Sequence, residues 1–301
     1  MTTDNDSMIV RGVAGLRAAV RGWRQAGQSC ALVPTMGALH AGHQALIRAA
    51  ARSCDRVIVS IFVNPLQFGP AEDFSGYPRR EAADVAAAAQ AGADLVFAPP
   101  GGEMYPPGHA TTVHVAGLTE GLCGRHRPGH FDGVATVVSK LLVQALPDAA
   151  FFGEKDYQQL LVIRRLVCDL DIPVRIEAVP TLREPDGLAL SSRNAYLSAE
   201  QRRIAPVLAA TLTAMARRLA GEGGPVETTV AATLAAGKAR LLAAGFSGID
   251  YVELCDVDSL APLERLDRPG RILAAVQLGG TRLIDNLAVV PGEPPAGEAA
   301  G

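Results

Sequence analysis

The chain has 301 residues, of which 49% are hydrophobic and 20% are charged, and its formal net charge is −3. This length exceeds that of a single hydrophobic core and predicts two domains of about 100–200 residues each. No apolar run approaches the roughly 18 residues that span a bilayer, so we expect a soluble protein with no membrane partner. No run of Lys and Arg supplies the cations that a nucleic-acid backbone requires, which argues against nucleic-acid binding.

The start of the chain and the cysteines predict a cytoplasmic protein. Residues 1–7 carry two aspartates and lack the basic-then-apolar order of a signal peptide. The five cysteines stand far apart without a Cys-x-x-Cys pair, so we expect reduced core residues rather than a zinc knuckle, a redox pair or a disulfide framework.

Strand-like and helix-like segments alternate over the first 180 residues, which predicts an α/β fold with a parallel sheet and crossover helices. The β-branched run 57–63 reads as a buried central strand. The segment 30–35 is predicted to be the first strand of the chain. Further strands are predicted at 94–98, 149–152 and 174–179, and helices over 43–53, 79–91, 133–145 and 157–170.

The organisation changes after Pro180. Ser198 and Gln201 resemble a capping box that opens one long helix. A second, smaller α+β domain is therefore predicted over 182–290, after a first domain over 1–181. Its other elements are a helix near 226–244 and strands near 249–254, 271–278 and 282–290. The Pro-, Gly- and Ala-rich tail at 291–301 has nothing to bury, and we expect it to be disordered.

The segment Val33–His43 joins an apolar strand to a helix whose entry carries His40 and His43. The first N–H groups of a helix have no intrahelical partners and favour an anion, and Gly37 lets the backbone approach it closely. Helix capping, burial in the core and metal ligation are alternative roles for two histidines three apart. The strand and glycine context favours a phosphate.

Polar motifs also follow the other predicted strands, and ligands of parallel sheets bind beyond these carboxyl ends. Lys155 can meet a phosphate as a point charge, although an exposed salt bridge is the alternative. Asp156 can bind a ribose hydroxyl. Gln67 and Gln159 suit a carboxylate and hydroxyls, with Asn64 assisting unless it is a satisfied loop amide.

The string Ser191–Asn194 follows a tight turn at Asp186 and Gly187. Two hydroxyls and a guanidinium suit a polyphosphate, although such a string alone is more often a surface turn. There is no P-loop, no Gly-x-Gly-x-x-Gly after a strand and no Gly-x-Ser-x-Gly elbow. If a nucleotide binds, the histidine-bearing helix and this serine–arginine loop must hold it.

Taken together, these residues resemble the pantoate–β-alanine ligase family of the His-x-Gly-His nucleotidyltransferases. The resemblance covers nearly the whole chain and rests on four strings in the same order: Pro34–His40, Phe62–Phe68, Phe152–Tyr157 and Ser191–Asn194. It implies a Rossmann-like, doubly wound parallel sheet with a second, smaller α+β domain. It also implies that ATP and D-pantoate form pantoyl-adenylate and pyrophosphate, after which β-alanine displaces AMP.

The resemblance also implies roles for individual residues. Catalysis is assigned to His40, His43, Lys155, Ser191, Ser192 and Arg193. The ATP site comprises Pro34, Thr35, Met36, Gly37, His43, Gly153, Lys155, Asp156, Leu182 and Ser191–Arg193. The pantoate site comprises Met36, Asn64, Gln67, His130 and Gln159. The string Arg127–Phe131 also matches a family stretch near that pocket.

Three further expectations come from the same resemblance. Tyr77 falls in a loop expected to cover the pocket. Asp84 matches an acidic position linked to Mg²⁺, although Ala83 stands where some relatives carry a second acidic residue. A homodimer is implied.

The alternative functions are a nucleotidyltransferase with a phosphorylated acceptor and a nucleotide-binding regulator without catalysis. The neutral glutamines argue against the first, and the intact cationic set argues against the second.

Overall fold

The computed structural model of the protein describes residues 8–70, 72–221 and 229–292, and they fall into two compact units. The first unit runs to Glu120 and also contains Arg127–Glu154 and Gln158–Leu182. The second contains Gly121–His126, Lys155–Tyr157 and the chain from Arg183 onward. Apart from its first two residues, the tail predicted to be disordered lies outside the described residues.

A six-stranded sheet forms the centre of the first unit. Its strands are β1 (Ile9–Val10), β2 (Cys30–Thr35), β3 (Arg56–Ile61), β4 (Leu95–Phe97), β5 (Ala149–Gly153) and β6 (Arg175–Val179). They are hydrogen-bonded in the order β1-β4-β3-β2-β5-β6, and every neighbouring pair is parallel. The order reverses direction between β2 and β5, as expected for a doubly wound sheet.

Seven α-helices lie in the part of the chain before Arg175 that the structure describes. They are α1 (Val13–Gln25), α2 (Ala41–Ser53), α3 (Glu81–Ala91), α4 (Gly101–Met104), α5 (Leu122–His126), α6 (His130–Ala145) and α7 (Tyr157–Asp169). Helix α1 packs with α6 and α2 packs with α3, while α5 belongs to the second unit. One buried core joins Ile47 of α2 and Val85 of α3 to Val33 of β2 and Val59 of β3.

The carboxyl ends of β2 and β5 diverge. Strand β2 pairs with β3 over all six of its residues, but it pairs with β5 only at Ala31 and Leu32. Pro34, two residues further along β2, has no N–H to offer a neighbouring strand. Ligands of doubly wound sheets bind at such a switch point in the strand order.

The second unit is a three-stranded antiparallel sheet with helices, so it is an α+β arrangement. Its strands β7 (Gly248–Asp256), β8 (Gly270–Leu278) and β9 (Thr281–Val289) follow one another in space. The helices are α8 (Ala199–Ile204), α9 (Val207–Leu219) and α10 (Val230–Ala243). Leu208 and Leu212 of α9 are buried in one core with Val252, Ile272 and Leu283 of the strands.

The predicted fold class is confirmed, and two element predictions are wrong. The first strand is β1, not 30–35; two residues at the sheet edge are too few to show a period of two. The single helix expected from Ser198 is divided into α8 and α9 at Ala205 and Pro206, because proline lacks the N–H that continues a helix. The capping box is confirmed: Ser198 N donates to Gln201 Oε1, and Gln201 N donates to Ser198 Oγ.

No helix within the described ranges is both long and apolar enough to cross a membrane. All five cysteines are free thiols, as the sequence predicts. Cys30, Cys123 and Cys255 are buried, but Cys54 is half-buried and Cys168 is exposed, so the prediction that all five lie in the core is wrong.

Gly133 of α6 allows a close approach that shapes the ligand end of the sheet. A Cβ at this position would meet the carbonyl oxygen of Leu66 and lie 2.6 Å from the amide nitrogen of Gln67. Both belong to a 3₁₀ turn, Pro65–Gln67, that follows β3. The absence of a side chain at Gly133 therefore lets α6 support the turn that carries Gln67.

We predict that Gly133→Ala lowers the free energy of unfolding by about 1–3 kcal/mol, because the added methyl group overpacks this contact. Gly22→Ala in α1 is the matched control: nothing lies within 4 Å of its added Cβ, and alanine is favoured over glycine in a helix by about 0.5–1 kcal/mol. Urea denaturation measures both changes. Equal stability of the Gly133→Ala variant and the wild type would contradict the close contact.

Candidate functional site

The turn that leaves β2 combines strained backbone with buried hydrogen bonds. Gly37 has φ +82° and Ala38 has φ +51°, both in the left-handed region. Thr35 Oγ1 donates to the carbonyl oxygen of Ser60 at 2.7 Å and accepts from Gly37 N at 3.1 Å. The turn is therefore tied to β3 before the chain enters α2.

His40 and His43 fit the capping alternative, because their rings cap α2. Gly42 N donates to Nδ1 of His40 at 3.1 Å, and His40 N donates to Nδ1 of His43 at 3.3 Å. An Nδ1 that accepts carries no proton, so each neutral ring carries its proton on Nε2. The ring centroids are 4.1 Å apart. The capping bonds thus orient two neighbouring Nε2–H donors, which suits them to an anion.

Asp84, in the first turn of α3, holds the same loop from the other side. Its Oδ2 accepts from Ala38 N at 2.9 Å, and its Oδ1 accepts from Leu39 N at 2.8 Å. The residue is only 4% exposed. Both carboxylate oxygens therefore serve the backbone of the turn.

The amide of Gln67 is oriented by two neighbours. Its Nε2 donates to Sδ of Met36 at 3.1 Å, and its Oε1 accepts from Nδ2 of Asn64 at 3.0 Å. Asn64 is almost fully buried, and its Nδ2 also donates to the carbonyl oxygen of Gly133. Its Oδ1 accepts from the hydroxyl of Tyr105 at 2.7 Å. Asn64 therefore makes the bonds of a satisfied loop amide, and these bonds support Gln67.

His130 belongs to the same bracing network. Nη1 of Arg127 lies 2.9 Å from Nε2 of His130, and because arginine only donates, that nitrogen is the acceptor. The ring proton is thereby placed on Nδ1, which donates to the carbonyl oxygen of Gln67 at 2.8 Å. Both ring nitrogens are thus engaged with protein atoms. Direct pantoate binding by His130 stays a prediction. In the structure, His130 supports the backbone of Gln67.

Glu72 anchors Arg127 in turn. Nε and Nη2 of Arg127 donate to the two carboxylate oxygens of Glu72, each at 2.6 Å. Burial raises the pKa of Glu72, but the hydrogen bonds and charge of Arg127 outweigh it and hold the pKa below its usual value. The pair is therefore ionised throughout the neutral range.

The remaining predicted residues of the first unit occupy varied environments. Tyr77 is buried, and its ring meets Phe68 edge-on at a centroid distance of 5.9 Å, so here it packs in an aromatic cluster. Gly153 is the last residue of β5, and a Cβ built at this position would have nothing within 4 Å. Gln159 lies half-buried in the first turn of α7, and Leu182 is exposed.

In the second unit, the backbone of Lys155 is held by the sheet. The carbonyl oxygen of Lys155 accepts from Nδ2 of Asn286 at 2.9 Å, and Oδ1 of Asn286 accepts from Arg271 at 2.6 Å. The Arg271 guanidinium lies 3.7 Å from the ring centre of Tyr157, a cation–π distance. Lys155 therefore projects from a braced segment, and Asp156 beside it is exposed.

The serine–arginine loop begins a 3₁₀ helix, Ser192–Tyr196, in the same unit. Ser191 is its N-cap, and its Oγ accepts from Arg193 N. Upstream, Arg183 donates to both carboxylate oxygens of Asp285, at 2.7 and 2.9 Å, and Asp285 is almost fully buried. This ion pair fixes the start of the segment that leads to Ser191.

The predicted metal role of Asp84 does not fit its surroundings. Mg²⁺ prefers oxygen ligands and is bound through one or two carboxylates together with substrate phosphates. Both oxygens of Asp84 already accept N–H groups, and the residue is only 4% exposed. No three His, Cys, Asp or Glu side chains within the described ranges gather where they could hold a metal ion. The residues present do not form a Mg²⁺ cage.

Sequence reasoning missed the support that Glu72, Tyr105 and Gly133 give to the site. Each acts on a residue more than 40 positions away or on a main-chain atom. No local pattern reports such contacts. Only the string Arg127–Phe131 carried a signal, because it matched a family stretch near the pantoate pocket.

The doubly wound sheet and the histidine-bearing helix after β2 define a Rossmann-like protein of the His-x-Gly-His class. Comparison with known proteins narrows this class. The family model described as pantoate-beta-alanine ligase matches residues 8–288, so the chain belongs to the pantoate–β-alanine ligase family. The reaction of this family is the ATP-dependent condensation of pantoate with β-alanine.

Individual relatives agree with this assignment. The pantothenate synthetase of Paramagnetospirillum magneticum is 61% identical over 94% of this chain and 98% of its own length. That of Rhizorhabdus wittichii is 60% identical over 94% and 99%. The crystal structure of the enzyme from Thermus thermophilus matches at a TM-score of 0.87 and 50% identity, covering 94% of this chain and 99% of that one.

A further solved relative carries ligands. It is the pantoate-beta-alanine ligase of Francisella tularensis, described as complexed with "Beta-gamma ATP and Beta-alanine". It matches at a TM-score of 0.77 and 33% identity, over 93% of this chain and 96% of that one.

The ionisation of Glu72 predicts a pH-dependent effect of Glu72→Gln. Above a pH of about 4.3, the usual pKa of Glu, the substitution should lower the free energy of unfolding by about 1–2 kcal/mol, less than for a fully buried pair because Glu72 is partly exposed. The stabilisation by the charged pair is lost as pH falls through the lowered folded pKa, so the difference between variant and wild type should shrink there.

Denaturation at pH 7, 5 and 3 measures this difference. Glu81→Gln is the control, because the pair of Glu81 with Arg11 is exposed and worth about 0.5 kcal/mol or less. A difference for Glu72→Gln that does not change with pH would contradict the ionised bridge.

Proposed function

We propose that this chain catalyses its family's condensation through a pantoyl-adenylate, releasing first pyrophosphate and then AMP. A carboxylate oxygen of D-pantoate attacks the α-phosphorus of ATP, and the bond from that phosphorus to the pyrophosphate oxygen breaks. The amine of β-alanine then attacks the acyl carbon, loses a proton, and AMP leaves with the electrons of the acyl–oxygen bond. Pantothenate is the product.

One observation carries the residue assignment. The Nδ1 atoms of His40 and His43 accept backbone N–H groups, which makes Nε2 the N–H donor of each neutral ring. Pre-oriented donors of this kind stabilise charge without reorganising during the reaction. We assign these donors to the phosphate oxygens of ATP.

Positioning and charge stabilisation dominate reactions of this kind. Lys155 would neutralise charge on the phosphates, supported by the bond between its carbonyl oxygen and Asn286. Arg193 would donate in parallel to two oxygens, as guanidinium groups do. The complete set proposed to stabilise the transition state is His40, His43, Lys155, Ser191, Ser192 and Arg193.

Gln67 and Gln159 would hold the carboxylate and hydroxyls of pantoate as neutral hydrogen-bonding groups, with Met36 as an apolar wall. The bonds of Asn64 to Gln67 and Gly133 suggest that Asn64 orients Gln67 and acts on pantoate only through it. His130 would contact pantoate while its Nδ1–H supports the backbone of Gln67. The remaining contacts proposed for ATP are Pro34, Thr35, Gly37, Gly153, Asp156 and Leu182.

Mg²⁺ would enter as the companion of the ATP phosphates rather than in a cage of protein carboxylates. When bound, it would share the neutralisation of phosphate charge. We further propose a homodimer, a cytoplasmic location in keeping with five free thiols, and a covering role for the loop that carries Tyr77.

The adenylate route makes a direct prediction. With ATP, Mg²⁺ and D-pantoate but no β-alanine, the protein should release pyrophosphate in a burst that requires pantoate. Adding β-alanine should then give steady formation of AMP and pantothenate. A coupled pyrophosphate assay measures the first step. Pyrophosphate that forms without pantoate, or that never forms, would contradict the proposal.

Removing one of the proposed donors should slow adenylation without loss of the fold. We predict that His40→Ala and Lys155→Ala each lower the adenylation rate by about 10²–10³, the usual effect of deleting one such donor. His114→Ala and Lys238→Ala are matched controls, and they should retain wild-type rates. Normal turnover by His40→Ala and Lys155→Ala would contradict the assignment.

A further inference from the structure

The carboxylate of Asp84 lies beneath the turn that carries the chain from β2 to the two histidines. It accepts from consecutive backbone N–H groups, of Ala38 and Leu39, and a side chain on Gly37 would place its Cβ 2.9 Å from Oδ2 of Asp84. Asp84 is buried and comes from the first turn of α3, where the helix dipole favours a negative charge. This carboxylate is built into the turn.

We propose that Asp84 is a positioning residue: by binding the N–H groups of Ala38 and Leu39 it holds the turn in the conformation that presents His40 and His43 to ATP. This inference rests on the proposed function of the two histidines. It replaces the role of a Mg²⁺ ligand that the family resemblance implied for this residue.

The backbone explains why the turn needs such a partner. Ala38 is an L-residue in the left-handed region, where its Cβ crowds the following carbonyl oxygen, and Gly37 before it also has a positive φ. Without the Asp84 carboxylate, the N–H groups of Ala38, which is buried, and of Leu39, which is half-buried, would also lose their acceptors. Leu39 immediately precedes the N-cap residue His40, so a change in this turn moves the capping rings directly.

A metal role would have to be added to these bonds. Each oxygen of Asp84 already accepts one N–H group, so a Mg²⁺ ion would have only the remaining lone pairs of a carboxylate that is 4% exposed. The two roles therefore predict different responses to Mg²⁺ concentration, which kinetics can separate.

The test is a kinetic comparison of Asp84→Asn and Gly37→Ala with the wild type. Asparagine keeps one acceptor but turns an NH₂ group toward the other N–H. Alanine at Gly37 disturbs the same contact from the loop side and removes no potential metal ligand. Both variants should lower kcat for adenylation by about 10–10²-fold, as small misplacements of catalytic groups do. Glu81→Gln, in the same helical turn as Asp84, is the control and should leave kcat unchanged.

The Mg²⁺ dependence identifies the role. For a positioning residue, the half-saturating Mg²⁺ concentration and the KM for pantoate should stay within about twofold of the wild type in both variants, and excess Mg²⁺ should not restore kcat. If Asp84→Asn raises the half-saturating Mg²⁺ tenfold or more and excess Mg²⁺ restores the rate, the proposal is overturned. Wild-type kcat in a folded Asp84→Asn protein overturns it too.

A measurement independent of activity keeps the inference separate from the proposed function. Amide hydrogen exchange, followed by NMR, should be at least about tenfold faster for Ala38 and Leu39 in Asp84→Asn, while the Gln44 amide, bonded to the carbonyl oxygen of His40, should change little. Unchanged exchange at Ala38 and Leu39 would overturn the inference. If the wild type forms no pyrophosphate, the proposed function fails, but the exchange data still report on the hold of Asp84 on the turn.

Discussion

The site depends on how the chain leaves β2. Two consecutive left-handed residues, Gly37 and Ala38, turn the backbone into α2, and the buried carboxylate of Asp84 accepts the N–H groups that this turn exposes. The histidines that follow cap the helix through Nδ1. A capping bond usually serves stability alone. Here it also selects the tautomer of each ring, so the bonds that cap the helix also orient the proposed donors.

At the other polar positions too, the proposed functional groups are held in place by side chains that hydrogen-bond to protein atoms. Gln67 is oriented by Asn64, and its backbone is supported by His130, Arg127 and Glu72 in series. In the second unit, Asn286 holds the carbonyl oxygen of Lys155. Rigid support of this kind is what catalysis by positioning and charge requires, because misplaced donors lose most of their effect.

Much of the fold could be predicted because its signals are local. The strand Cys30–Thr35 was predicted residue for residue, and most of the longer strands and helices after it followed from apolar periodicity, whereas α1, α4 and α5 were not predicted. Strand β1 was missed because it has only two residues, and Pro206 was overlooked inside a helical pattern. The site was harder. His40 and His43 stood in a recognisable motif, but Arg127 and Glu72 are 55 positions apart, and no single sequence reveals such a pair. The geometry around Asp84 likewise arises from contacts more than 40 residues apart.

His40 and His43 should be neutral imidazoles with the proton on Nε2, because Nδ1 of each ring accepts a backbone N–H. Long-range ¹H–¹⁵N NMR of the histidine rings at neutral pH tests it most directly, since it distinguishes the two ring nitrogens. We expect an unprotonated Nδ1 and a protonated Nε2 in both rings, and a change in the Nε2–H resonances when ATP is added. A proton on Nδ1 in either ring, or resonances that do not respond to ATP, would contradict the account.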